Sequence, residues 1–410
     1  MSRNLNYSDI LTGVFQEGDK YYAVKGLDKT IIEETGVTQL EKYENFHALK
    51  LEFGSELKGT EVFCFTYGPT AGGLTESIGF DVYTYGERIL RVIPKPLYKN
   101  RNIKISGLNV SDALLRFERY NAVFSSSYSI AFLRCAERIV GLDVEQDVQL
   151  LRIVMLELER ISHHLYVLGR LSEAASQNVA TANLFALRET VLRLISKHFG
   201  HRYFFGINGL AAISRDVDVG GLGNEIKSLS REFMVLWDML SESRIFVDRL
   251  QTTCIAKQPW MVGPALRAAG HNHDTRESDH SLPYKDVYFE VQTHGDGDSL
   301  GRAIVRANEL LESAQIIQQI TDKLKLVKKR RIILDASCDG GAICRLESPS
   351  GDLLILIKLS GGKLSNIYLR SPSKANLLGF VNGISSNVFT DFHFAWESFG
   401  FWVSELGDIL

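Results

Sequence analysis

The spacing of apolar residues changes period along this chain. Between 61 and 92 they alternate, in EVFCFTYG and GFDVYTYGERILRVI, which is the two-residue repeat of half-buried strands. Pro94 and Pro96 close that sheet, because proline cannot donate to a strand ladder. From 108 to 200 the period becomes helical. Leu150, Ile153, Val154, Leu158, Ile161, Leu165 and Leu168 fall near i, i+3, i+4, i+7 and predict one long helix with a buried stripe, with Asp143 placed to cap its start. Residues 179–199 and 222–250 predict two further long helices, broken by Gly200 and by Gly220, Gly221 and Gly223; together these helices suggest a bundle core.

Residues 271–298 are rich in His, Asp and Gly and read as loop. A further helix is predicted over 299–327, with Asp298 and Ser299 at its N-cap and the basic run KLKLVKKRR as its solvated end, favoured there by the helix dipole. Short strands follow in RIILDAS, AICRLES, DLLILIKLS and SNIYLRS. Residues 1–60 are polar and mixed; VTQLEKYENFHALKLEFGSEL reads as a short helix or strand followed by a strand, and the segment as a small N-terminal extension.

Composition narrows the class. With 410 residues, 45% hydrophobic and 23% charged, the chain suits one large globular domain plus additions. A net charge of −3 gives no global reason to expect nucleic acid. Five widely spaced cysteines are a poor disulfide framework and suit a reducing compartment. Cys338 and Cys344 lack a second ligand pair, and the spacing of His271, His273, His280 and His294 fits no standard zinc site, so no metal is expected. No apolar run reaches the roughly 18–20 residues that span a bilayer, and the polar start MSRNLNYSDI is not a signal peptide. The expectation is a soluble protein that reaches a membrane through partners. Neither a G-x-x-x-x-G-K phosphate loop nor a G-x-G-x-x-G turn occurs, so no direct nucleotide site is expected.

Four separated motifs carry the chemistry. RFERYNAVFSSSYSIAFLRCAERIV (116–140) leads into ELERISHHLYVLG (157–169); NLFALRETVLRLISKHFGHRYFFGINGL covers 183–210; GPALRAAG (263–270) precedes GDGDSLGRAIVRANELLES (295–313); and LRSPSKANLLGFV (369–381) precedes SFGFWVSELG (398–407). In this order they resemble the large subunit of NiFe hydrogenases and its descendant, the D-type subunit of respiratory complex I (NADH–quinone oxidoreductase). The resemblance covers residues 61–410, leaving 1–60 as the extension. It implies an α+β fold, a central bundle of long helices with small antiparallel sheets at the ends.

The resemblance also says what is missing. Hydrogenases carry two cysteine pairs that bind nickel; here Asn121 and Phe124 stand at the first pair and Trp402 and Glu405 at the second, with Gly400 at the aspartate before it. Thiolate is the soft ligand a Ni–Fe centre needs, so an active nickel site is not expected. Phe124, Phe401 and Trp402 would fill the former metal cavity. The complex I version instead places a tyrosine where Ala122 stands and a histidine in the loop that here reads YGPTAGGL (67–74), with Glu173 the nearest match to the carboxylate holding that histidine. Quinone binding is therefore doubtful, and no directly bound cofactor is expected. Arg119, Tyr120, Asn121 and Glu405 form the candidate pocket for a small acceptor. His164 matches the motif histidine of the long helix, a residue type that is most often structural there. His201 matches the histidine lying beside the terminal iron–sulfur cluster of a partner subunit, where it could tune the cluster potential; Gly206, Ile207, Asn208 and Gly209 replace the arginine-led R-P-G-G that follows. Arg267 could face the buried site or form a surface ion pair.

The family resemblance implies an NAD- and quinone-linked or hydrogenase-like oxidoreductase complex on the cytoplasmic face of the cell membrane. Its partners would be an iron–sulfur small subunit, a ferredoxin-like subunit and antiporter-like membrane-arm subunits. The alternative is a non-catalytic structural or assembly subunit on the same fold.

Overall fold

The computed structural model describes residues 7–27, 29–99, 103–278, 282–332 and 338–407. The chain opens with a three-stranded antiparallel sheet, β1 (Leu11–Glu17), β2 (Lys20–Lys25) and β3 (Ile31–Thr35), followed by the short helices α1 (Val37–Leu40) and α2 (Phe46–Leu49). Leu11, Ala23, Leu40 and Phe46 form its own small core. The polar character of residues 1–60 concealed this sheet, and no strand follows α2 before Phe63 among the described residues.

The predicted alternating segment forms β4 (Phe63–Tyr67), β5 (Gly79–Tyr85) and β6 (Arg88–Lys95), an antiparallel sheet that ends where the prolines put its end. The helices α3 (Val110–Phe117), α4 (Ser125–Val140), α5 (Gln146–Ala174) and α6 (Asn178–Phe199) come next. Gly141 and Gly200 take positive φ and end α4 and α6, the usual role of glycine after a last helical turn. Asp143 does not cap α5: its N-cap is Glu145, two residues later, without a side-chain cap. Two-residue strands β7 (Asn208–Gly209), β8 (Ala212–Ile213) and β9 (Val217–Asp218) link to α7 (Leu222–Ser241) and α8 (Arg244–Leu250). The helix expected over 222–250 is thus two helices. Gly221 is the N-cap, and Gly223 lies inside α7, where a Cβ would stand 2.3 Å from Thr321 Oγ1; the glycine lets two helices approach closely.

The short helices α9 (Pro264–Ala268) and α10 (Thr275–Ser278) precede α11 (Ser299–Lys323). Asp298 caps α11 as expected, accepting from the Gly301 amide at 2.7 Å. The basic run does not extend that helix: β10 (Leu326–Val327) pairs with β9 instead. RIILDAS falls largely on residues outside those described. The remaining strands form a third three-stranded antiparallel sheet, β11 (Gly340–Ser348), β12 (Gly351–Ser360) and β13 (Lys363–Arg370), before α12 (Pro372–Ile384) and α13 (Phe392–Phe399).

Two cores hold these elements. The larger joins α3–α7, α11 and the inner face of β11–β13; the smaller joins β5, β6, α9, α12 and α13. Helix α5 lies between α6, α11 and α13 and is buried on every face from Leu151 to Leu165. Its polar residues in that stretch, Arg152, Glu157, Glu159, Arg160, Ser162, His163 and His164, are therefore inside the protein and must be satisfied there.

Candidate functional site

The turn into α4 meets the C-terminal segment. Asn121 has extended backbone, and its Oδ1 accepts from the Val123 amide at 3.2 Å, turning the chain into one 3₁₀ turn before α4. Its Nδ2 donates to Glu405 Oε1 at 2.9 Å. Tyr128, two turns along from Asn121, donates to the same oxygen at 2.9 Å, and Ser373 at the start of α12 donates to Oε2 at 2.6 Å. Tyr120 donates to the Gly407 carbonyl at 2.6 Å. Glu405 is 1% exposed, and burial raises its pKa while the bonds from Ser373, Asn121 and Tyr128 oppose that rise. Burial, and then the Glu405 carboxylate, push the Tyr128 hydroxyl well above its ordinary value, so it stays a donor.

Phe124 and Trp402 meet beside this cluster, ring centres 6.3 Å apart. Phe124 packs edge-on against His163 at 4.8 Å, and Trp402 stacks on Tyr166 at 5.3 Å. His163 Nε2 lies 3.1 Å from Ser350 Oγ. The four positions where the resemblance sets thiolates thus converge from two ends of the chain, as the pairs Asn121–Glu405 and Phe124–Trp402. Phe401 turns instead into the smaller core, against Phe380, Trp396 and Phe399.

Arg119 does not join Tyr120, Asn121 and Glu405. Its side chain is half exposed, paired with the buried Glu118, and its guanidinium lies 4.6 Å from the Phe205 ring. Glu118 also accepts from the Gly206 amide at 2.9 Å. His201 is exposed on the same face, accepting from the Tyr203 amide at 3.1 Å, with the Phe205 ring 5.1 Å away. Arg119, His201, Tyr203 and Phe205 form one aromatic and cationic surface.

His164 and Arg267 belong to a buried ion network. Glu309 on α11 accepts from Arg267 at 2.7 Å and from His164 Nε2 at 2.9 Å. Arg306 donates to His164 Nδ1 at 3.2 Å. The carboxylate accepts only, so His164 is the neutral tautomer with its proton on Nε2. Burial holds its pKa down at about 3. Arg267 also pairs with Glu347 at 2.9 Å and Asp274 at 3.2 Å; Arg276 links Asp274 to Glu157, which Arg160 and Tyr284 also reach. Arg267 is fully buried, so the surface ion pair is corrected. Glu159 accepts from the Ser126 and Ser127 amides at the start of α4, at 2.5 and 3.0 Å, and burial pushes its pKa up to about 8.

A second cluster carries no motif in the sequence. Loop 67–74 has no histidine, but His393 of α13 reaches it: Tyr67 Oη lies 2.6 Å from His393 Nε2, and a Cβ on Gly73 would stand 2.2 Å from the same ring. One turn on, Glu397 accepts from Arg170 at 2.9 Å, and these groups wall a cleft of about 600 Å³ with Glu173 at its edge. His393 and Glu397 are four residues apart on one helix, a spacing that was available to find them. Among the described residues no group of three or more His, Cys, Asp or Glu is placed to hold a metal. Among the described residues, four clefts of about 280–870 Å³ are not lined by Arg119, Tyr120, Asn121 or Glu405.

Comparison with known proteins places this geometry. The family of the respiratory-chain NADH dehydrogenase 49 kDa subunit matches residues 177–338. An NADH-quinone oxidoreductase D-type subunit (number 2) of Sorangium cellulosum is 30% identical over 301 residues, 67% of this chain and 76% of that protein. The chain belongs to this family. The corresponding D-type subunit of Protochlamydia amoebophila is 31% identical over 217 residues, and that match spans about half of each protein (50% of this chain, 54% of the relative). A membrane-bound hydrogenase subunit alpha of Pyrococcus furiosus is 26% identical over 79% of this chain and 82% of its own length. A chain of the membrane-bound sulfane sulfur reductase, an archaeal respiratory membrane complex, shares the fold, with a TM-score of 0.78, 20% identity, 86% of this chain and all of that one. No helix among the described residues is long and apolar enough to cross a membrane.

Proposed function

We propose that this chain is the 49 kDa-type subunit of a membrane-bound, complex I-like or group 4 hydrogenase-like oxidoreductase. In this reading it docks an iron–sulfur small subunit for electron transfer, at the cytoplasmic face, through partners that include membrane-arm subunits. The observation that carries the reading is the surface formed by Arg119, His201, Tyr203 and Phe205. Arg119 lies on the turn that leads into the former metal positions, the other three follow α6, and together they offer aromatic rings and a guanidinium to a partner, the side chains that interfaces favour.

The residues present do not fit a Ni–Fe centre. Phe124 has no ligand atom, Asn121 and Glu405 are hard oxygen and nitrogen groups already bonded to each other, and the Trp402 indole is a donor only. They do not fit the quinone headgroup site either, since Ala122 offers no hydroxyl and His393 occupies the space beside Gly73. No step is assigned to either group. The second reading, a structural or assembly subunit, is favoured by the packing of Phe124, His163, Tyr166 and Trp402 where a metal cavity would be. The test is the double variant Arg119→Glu/Tyr203→Asp, expressed in the native host. The reading expects normal folding of the purified variant and loss of the iron–sulfur partner on affinity purification. Full retention of that partner would refute this docking face.

A further inference from the structure

The basic run 323–331 ends as a wall rather than as a solvated helix end. Helix α11 stops at Lys323, and after β10 the chain runs beside the β7–β8 hairpin. There the Arg330 amide donates to the Ile213 carbonyl at 3.0 Å, and the Lys329 amide donates to Asp216 Oδ1 at 2.8 Å. This wall, the hairpin and α3 enclose a groove of about 570 Å³. Its floor is apolar, from the buried Leu114, Leu133, Leu210 and Ile213. Leu115 and Ile332 also line it, yet they are 49% and 40% exposed. Two such side chains beside an apolar floor make a contiguous patch, unlike apolar residues scattered singly over a surface.

Charge sits at one rim. Lys328 pairs with Asp216 at 3.0 Å, and Arg330 pairs with Glu145 and, at 3.9 Å, with Asp147. Lys329 and Arg331, both exposed, line the groove and form no ion pair among the described residues. The groove also adjoins the surface of Arg119, His201, Tyr203 and Phe205. The Leu115 carbonyl accepts from the Arg119 guanidinium at 2.6 Å, and Gly206, next to Phe205, lines the groove while its amide donates to Glu118. A second copy of this chain is a poor occupant, because a two-fold interface would place two copies of this cationic rim in one contact. A segment that carries both an apolar side chain and a carboxylate answers floor and rim together.

We propose that the groove receives an extended segment of the iron–sulfur subunit, with one apolar side chain on the floor and a neighbouring Asp or Glu at Lys329 and Arg331. This rests on the docking reading of Arg119, His201, Tyr203 and Phe205, and it adds the chemistry of the segment that docks. A rim of like charge rejects a basic segment, so the groove contributes to the choice of partner as well as to its hold.

Zero-length carbodiimide cross-linking of the complex purified from the native host tests this, since the reagent joins an ammonium to a carboxylate in direct contact. Peptide mapping is expected to find Lys329 joined to an Asp or Glu of the iron–sulfur subunit. Lys329→Arg should remove that product while the subunit still co-purifies. Lys329→Gln/Arg331→Gln, at exposed positions, should lower recovery of the subunit at physiological salt at least threefold with an unchanged melting temperature. Lys227→Gln, exposed on α7, should recover it as the wild type does. A complex that keeps the subunit but gives no Lys329 product with it, or a double glutamine variant that recovers it in full, would overturn the groove. The docking reading would still stand if Arg119→Glu/Tyr203→Asp releases the subunit. A Lys329 product only with a second copy of this chain would overturn the groove as well. A wild-type chain that brings down no iron–sulfur subunit would overturn the docking reading and this proposal together.

Discussion

Replacing Glu309 by Gln keeps the shape of the side chain and removes the charge at the centre of the buried network. In the wild type, one carboxylate oxygen takes the Arg267 guanidinium at 2.7 Å and the other takes His164 Nε2 at 2.9 Å, with Arg160 at 4.0 Å. All four side chains are 0% exposed, so water cannot replace what is lost. Arg267 keeps Glu347 and Asp274, but Arg160 and Arg306 are left in a region with one negative charge fewer. Breaking one partner out of a buried ion pair costs about 3–5 kcal/mol. With an unfolding entropy of about 2.1 cal/mol/K per residue, a 410-residue chain melting as one unit shifts by roughly 1 °C per kcal/mol, so the expected loss is about 3–5 °C. Differential scanning calorimetry at pH 7 reads it. The sign of the pH dependence is fixed by the direction of the shift. The neighbouring cations, Arg267 foremost, hold the Glu309 pKa well below its ordinary value against the opposing effect of burial. Its stabilisation is therefore complete above the unfolded value of about 4.3 and is lost as pH falls below it. The gap between wild type and variant should narrow as the pH is taken down from about 4. A variant that melts within 1 °C of the wild type at pH 7 would refute the claim that this network holds the α5–α11 contact together.

Three further outcomes follow from the geometry. Phe124→Ala removes a fully buried ring packed on His163 and Trp402, and urea unfolding should show a loss of about 3–5 kcal/mol. Glu405→Ala strands the hydrogen-bond donors of Asn121, Tyr128 and Ser373, and should destabilise more than Glu405→Gln in the same assay. Glu159 has a folded pKa pushed up to about 8 by burial, so its share of stability is full below about 4.3 and is lost as pH rises through about 8; Glu159→Gln should remove that slope from the stability–pH profile.

Much of the fold was legible because its signals are local or ordered. The strand period of β4–β6, the glycine closing α6, and the Asp298 cap each depend on neighbouring residues alone. The motif order located Asn121, Phe124, Trp402 and Glu405, and these do converge. Arg119 was grouped with Tyr120 and Asn121 by adjacency, but consecutive residues at a turn point different ways, and Arg119 faces out. Arg267 could not be placed because periodicity says nothing of what packs over a short helix; its partners Asp274, Glu309 and Glu347 come from three separate elements. The β1–β3 sheet was missed because its burial does not alternate along the strands and its third strand, which carries Glu33 and Glu34, has no buried residue. The Tyr67–His393 contact joins residues 326 positions apart, beyond the reach of any local pattern.

The central claim is that this chain works as a docked subunit of an electron-transfer complex without nickel at its former metal positions. Affinity purification of the tagged protein from native membranes, with mass spectrometry of what accompanies it and metal analysis of the same sample, tests that most directly. The account predicts an iron–sulfur small subunit and membrane-arm subunits, with iron present and no stoichiometric nickel. A chain that purifies alone and without iron would contradict it.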